Sequence, residues 1–209
     1  MSKKINQYLA KHQWQVRVLL HLLLLSPLLY CFLALSDGWW GGDPVKPLIH
    51  YLANVALNIL LITLCLAPFA RRFRLPVLFA FRRLVGLYVF FYSLLHMLAY
   101  LVFDLGLDWA LFGQEVLERP YIWFGMFAFI LLLAQSLTSF KRIQQKLGRV
   151  WLQLHGFIYS VTLAIIIHFW WSLKSGWIEP IIYLGLTFVL LSMRRVPLRR
   201  WIKSFTPQN

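Results

Sequence analysis

Three histidines lie inside long apolar runs of this chain. His96 falls in LVGLYVFFYSLLHMLAYLVF (84–103), and His155 and His168 fall in VWLQLHGFIYSVTLAIIIHFWW (150–171). Runs of this length cross a bilayer as helices. An ionisable side chain at that depth is costly, so by default it marks a functional site. Imidazole is the versatile metal ligand of proteins and a common axial ligand of haem iron. Histidines on two different spans therefore point to a haem held between helices. Iron ligated by two imidazoles has no open coordination position, so the chemistry expected is the passage of single electrons. A proton relay would recruit carboxylates, and none of the seven Asp and Glu residues lies in the interior of an apolar run.

The elements that must position these residues read as six transmembrane helices, at about residues 16–36, 48–69, 80–103, 120–140, 150–172 and 178–194, joined by short polar turns. The fold class expected is an all-α integral membrane bundle. A cytoplasmic segment (1–15) precedes the bundle (16–194), and a basic cytoplasmic tail (195–209) follows it. The apolar runs are too long and unbroken for barrel strands. Pro27 should kink the first helix, Pro68 should end the second, and Pro120 suits the first turn of the fourth.

Charge placement orients the bundle. Eighteen of the 21 basic residues lie in the N-terminal segment (Lys3, Lys4, Lys11, Arg17), the 70–83 loop, the 141–149 loop and the tail. Lys46, Arg119, Lys174 and all seven acids lie on the other side. The positive-inside rule then puts both termini in the cytoplasm. The first apolar run is long for a secretion signal and reads as a retained anchor.

Composition supports this class. The chain is 60% hydrophobic and 13% charged, with a mean hydropathy of +0.67; a soluble domain carries about 25% charged residues. The net charge of +14 reads as membrane topology and contact with anionic lipids, and not as nucleic-acid binding. Cys31 and Cys65 sit at different depths, which argues against a disulfide, and both read as small buried packing residues. No Cys-x-x-Cys-His is present, so covalent haem attachment is excluded.

On an outward-running third helix, His96 lies about 18 Å past Leu84; on the fifth, His155 and His168 lie about 8 Å and 27 Å past Val150. His96 and His168 thus share the outer half of the membrane. His155 is 13 residues before His168, a rotation of about 220° on an ideal helix, so the two share a face only if a bulge or bend intervenes. Arg82 falls on nearly the same face as His96, where a two-haem design would place a histidine. It suits a haem propionate, a flavin phosphate or a quinone headgroup. His21, early in the first span, is an inner-leaflet candidate to partner His155. His50 opens the second span at the outer surface.

The stretches GGDPVKPLIHYLA (41–53), RRLVGL (82–87), LLHMLAY (94–100), ERPYIWFGM (118–126), QQKLGRVWLQLHGFIY (144–159) and IHFWWSLK (167–174) together resemble the MsrQ family, formerly YedZ, of the ferric reductase-like transmembrane group. The resemblance implies haem b, one or two per chain, with His96, His155 and His168 as haem-associated histidines and Arg82 as the family's arginine. It implies FMN as a further cofactor. It also implies an electron-transfer subunit drawing on the quinone pool or on a cytosolic flavin reductase. The acceptor would be MsrP, a periplasmic molybdopterin enzyme that reduces methionine sulfoxide in oxidised proteins, so substrate reduction sits on the partner. The rivals are a related cytochrome that reduces ferric chelates and a haem-free scaffold or transporter. No G-x-G-x-x-G appears, so a nicotinamide site on the chain itself is not expected.

Overall fold

The computed structural model describes residues 2–173, 176–203 and 205; Lys174 and residues 206–209 of the basic tail lie outside the described residues. Among the described residues no strand occurs. The helices are α1 (Ser2–Lys11), α2 (Gln13–Ser36), α3 (Val45–Arg72), α4 (Arg82–Ala99), α5 (Trp109–Glu118), α6 (Pro120–Leu137), α7 (Lys141–Leu147), α8 (Arg149–Gly156), α9 (Ile158–Ser172), α10 (Ile178–Met193) and α11 (Arg195–Lys203). A 3₁₀ helix (Pro76–Ala80) precedes α4 and a π turn (Tyr100–Asp104) extends it. Five stretches are long and apolar enough to cross a membrane: α2, α3, α4 with its π turn, α6, and α8 with α9. The sixth expected span is α10, whose 16 residues reach about 24 Å before the chain bends by 70° into α11.

The connections expected as polar turns are largely helical. KRIQQKL (141–147) forms α7 because its residues are mostly good helix formers. The segments before the first span and after the last form α1 and α11. Pro68 does not end the second span: α3 runs on for four residues to Arg72. A proline near a helix end removes one backbone bond, which membrane helices tolerate. Pro27 likewise lies inside an unbroken α2. It leaves the Leu23 carbonyl without its usual donor, and the Ser26 hydroxyl donates to that carbonyl at 2.8 Å. Pro120 occupies the first turn of α6 as expected.

The chain divides into two units, Met1–Trp109 and Ala110–Asn209. In the first, the packing is dominated by α3 against α4. Val85, Val89, Tyr92 and Ala99 form the buried seam of α4, with the alternating four- and three-residue spacing of a packed helix face; His96 continues that spacing. Ala56, Ala67 and Ala70 of α3 are buried, and small residues let membrane helices approach closely. Tyr92 is fully buried, and its hydroxyl donates to the Leu24 carbonyl of α2 at 2.6 Å. Cys31 is buried as expected, but Cys65 is exposed on α3, and both are free thiols. Cys65 falls off the buried face that Leu60, Leu64 and Ala67 define.

In the second unit, α6 packs against α9. The seam of α9 includes Val161, Ala164 and Phe169, and that of α6 includes Ala128, Leu132 and Gln135. The fifth span is broken at Phe157. Its N–H bonds back only three residues, to the Leu154 carbonyl at 3.1 Å, and regular α9 bonding starts with Val161 N–H to the Phe157 carbonyl at 2.8 Å. A local departure from regular α bonding therefore lies between His155 and His168.

Candidate haem-ligand site

Each unit delivers one histidine through the same local geometry. In the first, His96 Nδ1 lies 2.9 Å from the Ile49 carbonyl oxygen, near the start of α3. In the second, His168 Nδ1 lies 2.8 Å from the Tyr121 carbonyl oxygen, near the start of α6. A carbonyl only accepts, so in both rings Nδ1 carries the proton and donates it, and the neutral ring has its lone pair on Nε2. Metal-ligating histidines adopt this state: the distal N–H goes to an oxygen, which fixes the tautomer and makes the other nitrogen more basic. Both side chains are partly buried.

Acceptor and histidine are 47 residues apart in both units, and the likeness extends along the helices. A shift of 72 residues carries Ile49 onto Tyr121 and His96 onto His168. It also carries the buried residues Ala56, Leu60, Thr63, Val89 and Tyr92 onto the buried residues Ala128, Leu132, Gln135, Val161 and Ala164. The two helix pairs thus share part of one packing pattern, around the histidine and its acceptor. The same shift carries Arg83 onto His155, so the residue in the first unit that corresponds to His155 is not a ligand type.

His155 is held differently. Its Nε2 lies 3.2 Å from Thr138 Oγ1, and that hydroxyl lies 2.7 Å from the Ala134 carbonyl, to which it donates. The hydroxyl has a single proton, so His155 Nε2–H is the donor to Thr138. The proton thus sits on the opposite nitrogen from that in His96 and His168. The ring stacks on Trp151 at 4.1 Å, Trp151 Nε1–H donates to the Thr138 carbonyl at 3.0 Å, and Gln135 donates to the Leu154 carbonyl at 3.2 Å. His21 sits on an exposed face of α2, with Nδ1 2.8 Å from the Tyr88 hydroxyl. Arg82 is the partly buried first residue of α4, and His50 is exposed on α3. Among the described residues no three His, Cys, Asp or Glu side chains converge as a metal cage.

Comparison with known proteins bears on the same helices. The family described as ferric reductase like transmembrane component matches residues 49–166, a stretch that contains α4 and α6 whole. A protein of Pectobacterium carotovorum subsp. carotovorum (strain PC1), named protein-methionine-sulfoxide reductase heme-binding subunit MsrQ, is 40% identical over 192 residues, 91% of this chain and 96% of its own length. The chain belongs to the MsrQ family. The MsrQ protein of Klebsiella pneumoniae (strain 342) is 41% identical over 187 residues, 89% of this chain and 94% of its own. That of Cronobacter sakazakii (strain ATCC BAA-894) is 40% identical over 193 residues, 92% and 96%. No solved structure matches.

Within this MsrQ-family chain, four parts of the site were not evident from the sequence. The Ile49 and Tyr121 carbonyls are backbone groups and leave no residue-type signal. Thr138, which accepts the hydrogen bond from His155 Nε2–H, lies in a stretch that reads as a span end. Gly125 lies against His168 and reads as one more small residue of an apolar run.

Proposed function

We propose that this chain is a membrane electron-transfer subunit carrying one haem b, with His96 and His168 as its axial ligands. What supports the ligand assignment is the matched Nδ1–H to carbonyl geometry of those two rings, which leaves Nε2 as the ligating nitrogen in both. The donor set fits haem iron: two neutral imidazoles on apolar helices and no convergent protein cage. When bound, the haem supplies a one-electron ferric/ferrous couple. The chain's own residues do the rest: the Ile49 and Tyr121 carbonyls hold the imidazole protons and so fix which nitrogen of each ring is left for the iron.

The names of the relatives, heme-binding subunits of protein-methionine-sulfoxide reductase, support haem and a methionine-sulfoxide reductase as partner; the route proposed follows from the family resemblance. Electrons enter at the basic inner face from the quinone pool or a cytosolic flavin reductase. They leave at the outer face to the periplasmic molybdopterin enzyme MsrP, which performs the sulfoxide reduction. In this reading α10 is the sixth span, both termini are cytoplasmic, which the basic loops support, and the bundle lies in the bacterial inner membrane, as the resemblance to the MsrQ family implies. Arg82, at the start of α4, donates to acceptor oxygens on the donor side, an FMN phosphate or a quinone carbonyl. His155, with its Nε2 proton on Thr138, braces the break in the fifth span, and His21 ties α2 to α4 through Tyr88.

The test is spectroscopic and then genetic. Protein purified from haem-sufficient cells should show one low-spin haem per polypeptide. His155→Ala should retain it, because the Nε2 of the ring it removes carries the proton that it donates to Thr138. Two haems in the wild type and one in His155→Ala would replace this reading with a two-haem design. Deletion of the gene should abolish repair of methionine sulfoxide in periplasmic proteins. Loss of ferric-chelate reduction with repair intact would reassign the acceptor.

A further inference from the structure

Gly125 is the residue of α6 on which the His168 ring rests. A Cβ built on Gly125 falls 2.9 Å from both Cε1 and Nδ1 of His168 and 3.4 Å from Cγ. Carbon atoms in good contact sit about 3.5 to 4.0 Å apart, so the imidazole fills the space of the missing side chain. The same ring donates to the Tyr121 carbonyl at 2.8 Å. Tyr121 lies four residues before Gly125, on the same helix face one turn away. The ring is thus fixed at two points of one helix, by a carbonyl that holds Nδ1–H and by a bare Cα that lets the ring approach the backbone.

Gly156 is crowded too, but by the Trp201 indole and not by an imidazole, and two other glycines inside apolar helices are open. The nearest atom to a Cβ on Gly86 is Thr63 Cγ2 at 3.8 Å, an ordinary contact, and a Cβ on Gly185 meets nothing within 4 Å. Register in the first unit sharpens the point. The residue four after the Ile49 acceptor is Ala53, so the helix that holds His96 already carries a methyl where the helix that holds His168 has none.

We propose that Gly125 is a positioning residue for the ligand His168: it sets how closely the ring seats on α6 and so the plane and direction of its Nε2. The two iron ligands are consequently inequivalent, with His168 the closer-seated and the more easily disturbed. This rests on the reading of His168 as an axial ligand, and the experiment below separates the two.

Gly125→Ala adds one methyl in the ring's place and removes no ligand. It should keep the low-spin type of the haem but shift the electron paramagnetic resonance g-values, which respond to the orientation of the axial imidazoles. It should also change the midpoint potential and raise haem transfer to apomyoglobin about 10- to 100-fold, the usual effect of disturbing what orients a metal ligand. Gly185→Ala, the same chemical change in open space, should match the wild type on all three measures. If Gly125→Ala matches the wild type while His168→Ala loses the haem, Gly125 has no positioning role and the ligand reading stands. If His168→Ala itself keeps the wild-type spectrum, the ligand reading fails. Should Gly125→Ala fail to accumulate, the double variant Gly125→Ala with His168→Ala decides. Accumulation equal to that of His168→Ala shows that the methyl collides with the ring, as inferred. Failure of the double variant shows that Gly125 serves helix packing elsewhere and overturns the inference.

Discussion

His96→Ala and His168→Ala should each yield a folded membrane protein without its low-spin haem. Disturbing a group that merely orients a metal ligand lowers affinity by about 10- to 100-fold, and removing the ligand itself should exceed that, leaving haem below about a tenth of wild-type content. The fold should survive. Both rings are partly buried, and neither is the core of its seam: Val89 and Tyr92 in the first unit, and Val161 in the second, are the more deeply buried residues. Truncation does leave a carbonyl short of one donor, at Ile49 or Tyr121. Those carbonyls lie within helices, where the i+4 backbone N–H is an alternative donor, so the penalty stays near that of one hydrogen bond, about 1 kcal/mol. The contrast is His155→Ala, which removes a ring of the opposite tautomer and should change haem content little. Absorption spectra and a haem assay per polypeptide, with circular dichroism as the control for folding, check all three. Two alanine variants with intact low-spin spectra at position 96 and position 168 would remove the ligand assignment and the electron-transfer reading with it.

How much of this was legible beforehand follows from where each signal is stored. The spans were legible because apolar runs and basic flanks are properties of residue type, and α2, α3, α4 and α6 lie within a few residues of their expected places. His96 and His168 stood out because a histidine in an apolar run is chemically anomalous. The 72-residue repeat was not legible. Few of its superposed positions are identical (Ala56 with Ala128, Leu60 with Leu132, Val89 with Val161, His96 with His168), and an apolar membrane sequence offers many such coincidences. What repeats is burial and a backbone hydrogen bond, neither of which has a letter. Arg82 was aligned with His96 on an ideal helix, but the position that corresponds to His155 by the repeat is Arg83. The break at Phe157 has no proline to announce it. Cys65 was expected to be buried because small residues in membrane helices often pack, yet its face of α3 is exposed. Pro68 was expected to stop a helix by a rule calibrated on aqueous proteins, where the freed backbone groups have water as an alternative.

The second large effect concerns the contact between α8 and α11 in the second unit. Gly156→Ala should destabilise it by about 1 to 3 kcal/mol, the usual effect of forcing an extra carbon into a packed site. A Cβ on Gly156 would collide with the indole of Trp201, and that indole is tightly held. Its Nε1–H donates to the Gln153 carbonyl at 2.8 Å, and its ring meets Phe157, Tyr159 and Phe205 at centroid distances of 5.2, 5.9 and 5.5 Å. Trp201 thus keys α11 onto α8 beside the break that follows His155. Trp201→Ala should itself destabilise the tail by about 2 to 4 kcal/mol, somewhat less than a fully buried tryptophan. The two changes act on one contact, so they should not add: with the indole gone, the methyl at position 156 has space, and the double variant should resemble Trp201→Ala alone to within about 0.5 kcal/mol. Trypsin reports this directly, because Arg195, Arg199, Arg200 and Lys203 lie on α11 and become cleavable when it detaches. Gly156→Ala should speed release of the tail by roughly 5- to 100-fold, as 1.4 kcal/mol corresponds to tenfold. Additive rates in the double variant would mean that Gly156 and Trp201 stabilise the chain separately, and that α11 is not locked to the fifth span through this contact.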